Sequence, residues 1–117
     1  MIFDLEKDGL ETIFRPWQLA LLMEVLKHST DGIDSRTAYG IIQASDYPMS
    51  RASVINFLND LEKEGLVRSV EESCKGGHKK IYFPQVTREG LKNYLLNRIL
   101  TKASEVFGVD IYFTSSN

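Results

Sequence analysis

The sequence predicts a mainly α chain carrying one small β-hairpin, an α+β fold in which helices supply most of the mass. Three observations predict it. Apolar residues recur at helical spacing in four separate stretches, and a Gly-Gly pair joins two short runs of strand character. The pieces follow one another as helix, helix, helix, hairpin, helix. At 117 residues, with 43% apolar and 26% charged content, the chain has the size and composition of one globular domain able to bury a core.

The first helix is expected from Pro16 to about His28. Proline suits a first helical turn because its missing N–H would have had no partner there, and Leu19, Leu22, Val25 and Leu26 recur on one side. Asp31-Gly32 marks a turn, after which Asp34 or Ser35 can cap a second, short helix with Ala38, Ile41 and Ile42 on its apolar side. Pro48 breaks the pattern. Ser50 then stands as the cap of a third helix over residues 50–64, whose Val54, Phe57, Leu58 and Leu61 share a face, and Gly65 fits its stop. The stretch Leu66 to Glu71 reads as a strand and Gly76-Gly77 as a turn. Lys79 to Phe83 returns as a second strand in which Ile81 and Phe83 alternate against Lys80 and Tyr82. Thr87 is the expected cap of a last helix running to about Phe107.

These elements divide the chain into a leader (1–14), a helix and hairpin domain (15–86), a long closing helix (87–107) and a tail (108–117). The leader carries Phe3, Leu5, Leu10, Ile13 and Phe14, enough apolar residues to predict that it packs on the core or at an interface. The closing helix shows two apolar stripes. Leu91, Leu95, Ile99 and Val106 lie on one side, and Leu96, Leu100, Ala103 and Phe107 on another. One stripe can cover its own domain, and the second is expected to pair with another copy, making a homodimer.

The net charge is −2, which counts against a uniformly basic nucleic-acid binder. The charges are segregated, however. Residues 1–34 hold three Lys/Arg against seven Asp/Glu, while residues 65–92 hold six against three, so one basic surface can coexist with an acidic remainder. No apolar run approaches the ~20 residues of a membrane span. The N-terminus lacks the basic and apolar regions of a secretory leader, which predicts a cytoplasmic protein without membrane contact.

Three short helices followed by a two-stranded hairpin is the order of a winged helix-turn-helix. The run SRASVINFLNDLEKEGLVRS (50–69) resembles the recognition helix and first wing strand of the MarR, PadR and penicillinase-repressor families. EESCKGGHKKIYF (71–83) and VTREGLKNYL (86–95) resemble the wing and the entry to the closing helix in the same families. TAYGII (37–42) is most similar to PadR, the third helix to MarR and the penicillinase repressors. The resemblance implies a transcription regulator that binds double-stranded DNA, with the third helix in the major groove and residues 72–80 on the backbone. A repressor is the expected kind.

If the apolar side of the third helix faces the core, helical geometry turns Ala52, Ile55, Asn56, Asn59 and Lys63 outwards, with Arg51 at the helix start. Asparagine can make two hydrogen bonds to adenine, arginine can fork onto guanine, and Ala52 and Ile55 can meet a thymine methyl. Arg51, Ala52, Ile55, Asn56 and Asn59 are therefore the candidates for reading bases. Candidates for phosphate are Lys63, Arg68, Lys75, His78, Lys79 and Lys80, joined by Arg36, Ser50 and Ser53 near the helix starts. The competing reading makes the asparagines solvated polar residues and the hairpin lysines protection of a strand edge. A separate rival for the function makes the chain a protein-interaction module, with Ile55 and the acidic N-terminal surface as contacts.

Enzyme chemistry is not expected. The chain has no nucleophile elbow, phosphate-cradling glycine loop or paired carboxylates in an apolar context. Cys74, His28 and His78 do not have zinc-ligand spacing, and no metal or other cofactor is predicted. A small-molecule effector is compatible with a regulator, and no residue pattern names its chemistry.

Overall fold

A computed structural model of the chain describes Leu10 and residues 13–108. Within them lie four helices and a three-stranded antiparallel sheet, in the order α1 (Pro16–Lys27), β1 (Ile33–Asp34), α2 (Ser35–Gln43), α3 (Arg51–Lys63), β2 (Val67–Cys74), β3 (Gly77–Pro84) and α4 (Leu91–Phe107). The chain divides into two compact units at the step from Val86 to Thr87.

The helix starts follow local chemistry. Pro16 opens α1, where the Gln18 side chain accepts from the Arg15 amide at 3.0 Å. Asp34, not Ser35, caps α2 by accepting from the Thr37 amide at 2.7 Å. Ser50 caps α3 by accepting from the Ser53 amide at 3.1 Å. At the other end of α3 the Gly65 amide donates to Glu62 O and the Leu66 amide to Leu61 O, with Gly65 at φ 81°. This is a Schellman stop, and it turns Leu66 under its own helix, where Leu61 and Leu66 are both buried.

The core of the first unit is formed by Phe14, Trp17, Leu21, Leu22, Val25, Ile33, Ala38, Ile42, Val54, Phe57, Leu58, Leu61, Leu66 and Val67. Phe57 is its centre of aromatic packing, edge-on to Phe14 at 6.1 Å and to Trp17 at 5.3 Å. The expected stripe of α1 is rotated: Trp17 and Leu21 are buried, while Leu19 and Leu26 are only half covered. The leader is seen only in part. Ile13 and Phe14 are buried, and Phe3 and Leu5 lie outside the described residues, as does the tail beyond Gly108.

The sheet differs from a two-stranded hairpin. Ile33 and Asp34 pair with Tyr82 and Ile81, so β1 becomes a third strand in the order β1-β3-β2. Two residues are too short to display a strand period, which is why the sequence does not announce them. The hairpin loop is Lys75-Gly76, one position earlier than expected, because Cys74 pairs with Gly77 in the β2–β3 ladder. Tyr82 does not sit on an exposed polar side. It is 2% exposed, since the strand face it shares with Lys80 is covered.

In the second unit α4 begins at Leu91 with Gly90 in the cap position, three residues later than expected. Thr87 still serves as an acceptor, taking the Gly90 amide on its hydroxyl at 3.0 Å, but it closes a turn ahead of the helix. Leu91 and Leu95 are buried, Ile99, Leu100 and Ala103 are half-buried, and Val106 is exposed. Leu96 is also exposed, and so is Phe107.

Candidate nucleic-acid interface

α3 has three sides. At roughly 100° per residue, Val54, Phe57, Leu58 and Leu61 point into the core, and all four are buried. Ile55, Asn59 and Glu62 form a flank that is half-buried. Ala52, Asn56, Asp60 and Lys63 form the exposed side, with Arg51 exposed at its head.

The half-buried flank corrects the expectation that Ile55 and Asn59 face solvent. Asn59 is committed inside the protein: its Oδ1 accepts from the Tyr82 hydroxyl at 2.9 Å and from Lys80 Nζ at 3.3 Å. One turn further on, Glu62 Oε1 accepts from Lys80 Nζ at 3.0 Å and its other oxygen accepts from the Ser69 hydroxyl. Asn59 and Glu62 thus bind α3 to both strands of the hairpin. The Ser69 hydroxyl, and after it Lys80, holds the Glu62 carboxyl below the usual glutamate range, and Glu62 in turn raises the Lys80 ammonium. Burial pushes the Tyr82 phenol up, which keeps it a donor to Asn59.

Lys79, on the opposite face of the same strand, meets Asp34 Oδ2 at 3.4 Å. Partial burial of Asp34 acts to raise its carboxyl, but the Thr37 hydrogen bonds and Lys79 outweigh it, and the group lies below its ordinary value. Glu71 stands opposite Lys80 in the ladder and Glu72 opposite Lys79. Two of the lysines expected to meet phosphate are therefore paired with carboxylates of the protein itself.

The remaining candidates keep open side chains. Lys75 and His78 are exposed at the hairpin tip, as are Arg36 on α2 and Lys63 on α3. Arg68 is exposed and stacks its guanidinium over the Phe83 ring at 4.5 Å. The hydroxyls of Ser50 and Ser53 hydrogen-bond each other at 2.9 Å across the cap. Cys74 is exposed at the end of β2.

Four participants were missing from the sequence reading. Asp60 puts a negative charge on the exposed side of α3, and Glu62, Ser69 and Tyr82 build the joint between helix and hairpin. The spacing Asn56, Asp60, Lys63 at i, i+4 and i+7 was a readable signal for Asp60. No local pattern indicates the joint.

The arrangement offers a small-residue and asparagine face on a capped helix, flanked by a hairpin with a basic tip. No family model matches the chain, and no curated protein matches it. Among solved structures it resembles a possible transcriptional regulator from Methanosarcina mazei Go1, with a TM-score of 0.60 and 12% identity over 81% of this chain and 75% of that one. It also resembles a PadR family transcriptional regulator from Eggerthella lenta DSM 2243, with a TM-score of 0.50 and 16% identity over 80% and 87% of the two chains. At these identities the likeness is one of fold.

Proposed function

We propose that the chain is a transcription regulator that binds double-stranded DNA through α3 and the β2–β3 hairpin, which acts as its wing. One observation carries the reading: the exposed side of α3, with Arg51, Ala52 and Asn56, lies on a helix tied directly to a hairpin whose tip bears Lys75 and His78. The likeness of fold to a protein named as a possible transcriptional regulator and to a PadR family transcriptional regulator supports it.

In this reading Asn56 is the principal reader of bases, with Arg51 and Ala52 beside it and Ile55 at the edge of the contact. Lys63, Lys75, His78, Arg36 and Arg68 meet phosphate and set the register without conveying sequence, and Ser50 and Ser53 approach the backbone at the helix start. The protein acts as a homodimer through Leu96, Leu100, Ala103 and Phe107 of α4, and as a repressor. An effector would act by changing the separation of two α3 helices.

Selection from a random duplex pool tests this directly. A single enriched sequence is expected, and Asn56→Ala should cost about 1–3 kcal/mol of discrimination at one base pair. Lys75→Ala should weaken all duplexes alike and lower the salt slope by about one. Recovery of no sequence, with no duplex bound at low salt, would end the reading. A second function has its own support, since Asp60 on the exposed side and the engaged Lys79 and Lys80 reduce the basic surface. On that account the chain is a protein-interaction module, and pull-down would then depend on α3 without any dependence on DNA.

A further inference from the structure

We propose that Lys79 and Lys80 are positioning residues that clamp the wing from its two faces, one onto the cap of α2 and the other onto α3, and that neither is a phosphate contact. The reasoning begins with strand geometry. Neighbouring residues of a strand point to opposite faces, so two consecutive lysines can hold one strand from both sides. Lys79 reaches Asp34 at 3.4 Å, and Lys80 reaches Glu62 at 3.0 Å and Asn59 at 3.3 Å.

The outer wing needs such a clamp. Every residue from Glu71 to Lys79 is exposed, so no apolar burial fixes the direction of that segment. Burial ends at Ile81 and Tyr82. The next groups outward are the two lysines, and each meets a carboxylate anchored elsewhere: Asp34 through the Thr37 amide, Glu62 through the Ser69 hydroxyl. Tyr82 adds its hydroxyl to Asn59 on the Lys80 side. Each ion pair alone is partly solvated and weak. Their value is geometric, because they act on opposite faces at the point where packing stops. Lys75 and His78 lie beyond the clamp with open side chains, and they are the groups whose direction it sets.

The inference rests on the DNA-binding reading only for its second consequence, and the two can be separated. Cys74 is exposed near the wing tip and accepts a spin label in the native sequence. A second label at Lys27→Cys, on the exposed surface of α1, gives a distance distribution in the free protein. Against that background a narrow distribution is expected. It should broaden with Glu62→Gln or Lys80→Gln and narrow again in the swapped pair Glu62→Lys with Lys80→Glu, which keeps the net charge. Circular dichroism melts on the same samples identify any variant that has lost its fold, and the swapped pair then decides. Distributions equally narrow in parent, Glu62→Gln and Lys80→Gln would overturn the clamp.

Duplex binding supplies a test by sign. Removing the negative charge of Glu62 should strengthen DNA binding if Lys80 merely awaited a phosphate, since the lysine would be released. The clamp predicts the reverse: Glu62→Gln weakens binding about tenfold, and adding Lys80→Gln costs little more because both act on one joint. Tighter binding by Glu62→Gln together with independent loss in Lys80→Gln would make Lys80 a phosphate contact and sink the proposal. If the parent protein binds no duplex, the function fails and the spin-label result still judges the clamp.

Discussion

α3 and α4 are both amphipathic, but they leave their apolar residues in opposite conditions. Every apolar residue of the α3 stripe is buried and its flank is hydrogen-bonded to the hairpin, so what remains in water is polar and small. In α4 only Leu91 and Leu95 are buried, while Leu96, Val106 and Phe107 are 40%, 60% and 74% exposed. A helix with its apolar side satisfied can offer donors and acceptors to a polar ligand. One with large apolar side chains in water gains by covering them with another apolar surface.

The contrast can be broken at its strongest point first. Phe57→Ala removes the ring that meets Phe14 and Trp17 and should destabilise the fold by about 3–5 kcal/mol in denaturant unfolding. A loss below ~1 kcal/mol would mean that the α3 stripe is not part of a buried core. For α4 the readout is association. Leu96→Glu should weaken the proposed dimer by at least about tenfold in sedimentation equilibrium, and Phe107→Ala should leave unfolding of the monomer within ~0.5 kcal/mol. A parent protein that stays monomeric at high micromolar concentration would remove the dimer from the reading of α4.

A smaller effect sharpens the comparison at α2. Gly40 lies inside that helix, is exposed, and an added Cβ would meet nothing within 4 Å. Gly40→Ala should therefore stabilise by about 0.5–1 kcal/mol in thermal unfolding, since glycine is the weaker helix former. If it stabilises and also impairs duplex binding, α2 approaches its ligand closely at that point.

Acid should act on the α3 flank. The folded state holds Glu62 below the ordinary glutamate value of 4.5, so its contribution is present above that pH and is lost as pH falls through the depressed value. Glu62→Gln should flatten the acid limb of stability by a small amount, because the group is partly solvated. An unchanged acid limb would argue against the pairing with Ser69 and Lys80.

Much of this is legible in the amino-acid sequence. The starts of α2 and α3 were readable because Asp34 and Ser50 act on amides three residues away. The burial of Val54, Phe57, Leu58 and Leu61 was readable because it repeats with the helical period. Other readings failed for a common reason. In α1 the run from Leu19 to Leu26 is apolar almost all round, so its period did not choose a side, and the choice fell to Trp17 and Leu21. Asn59 and Tyr82 each looked outward along their own element until the other element covered them.

The sequence by itself determined that there are four helices, the caps of α2 and α3, the glycine stop of α3 and the hairpin, since each depends on groups within a few residues of one another or on a period that any window displays. Tertiary structure alone decided which charges remain available. Lys80 meets Asn59 across 21 residues of chain and Lys79 meets Asp34 across 45, and chain proximity carries no information about such encounters. Packing brings those groups together, and only then do two lysines stop being surface charge and become part of the frame.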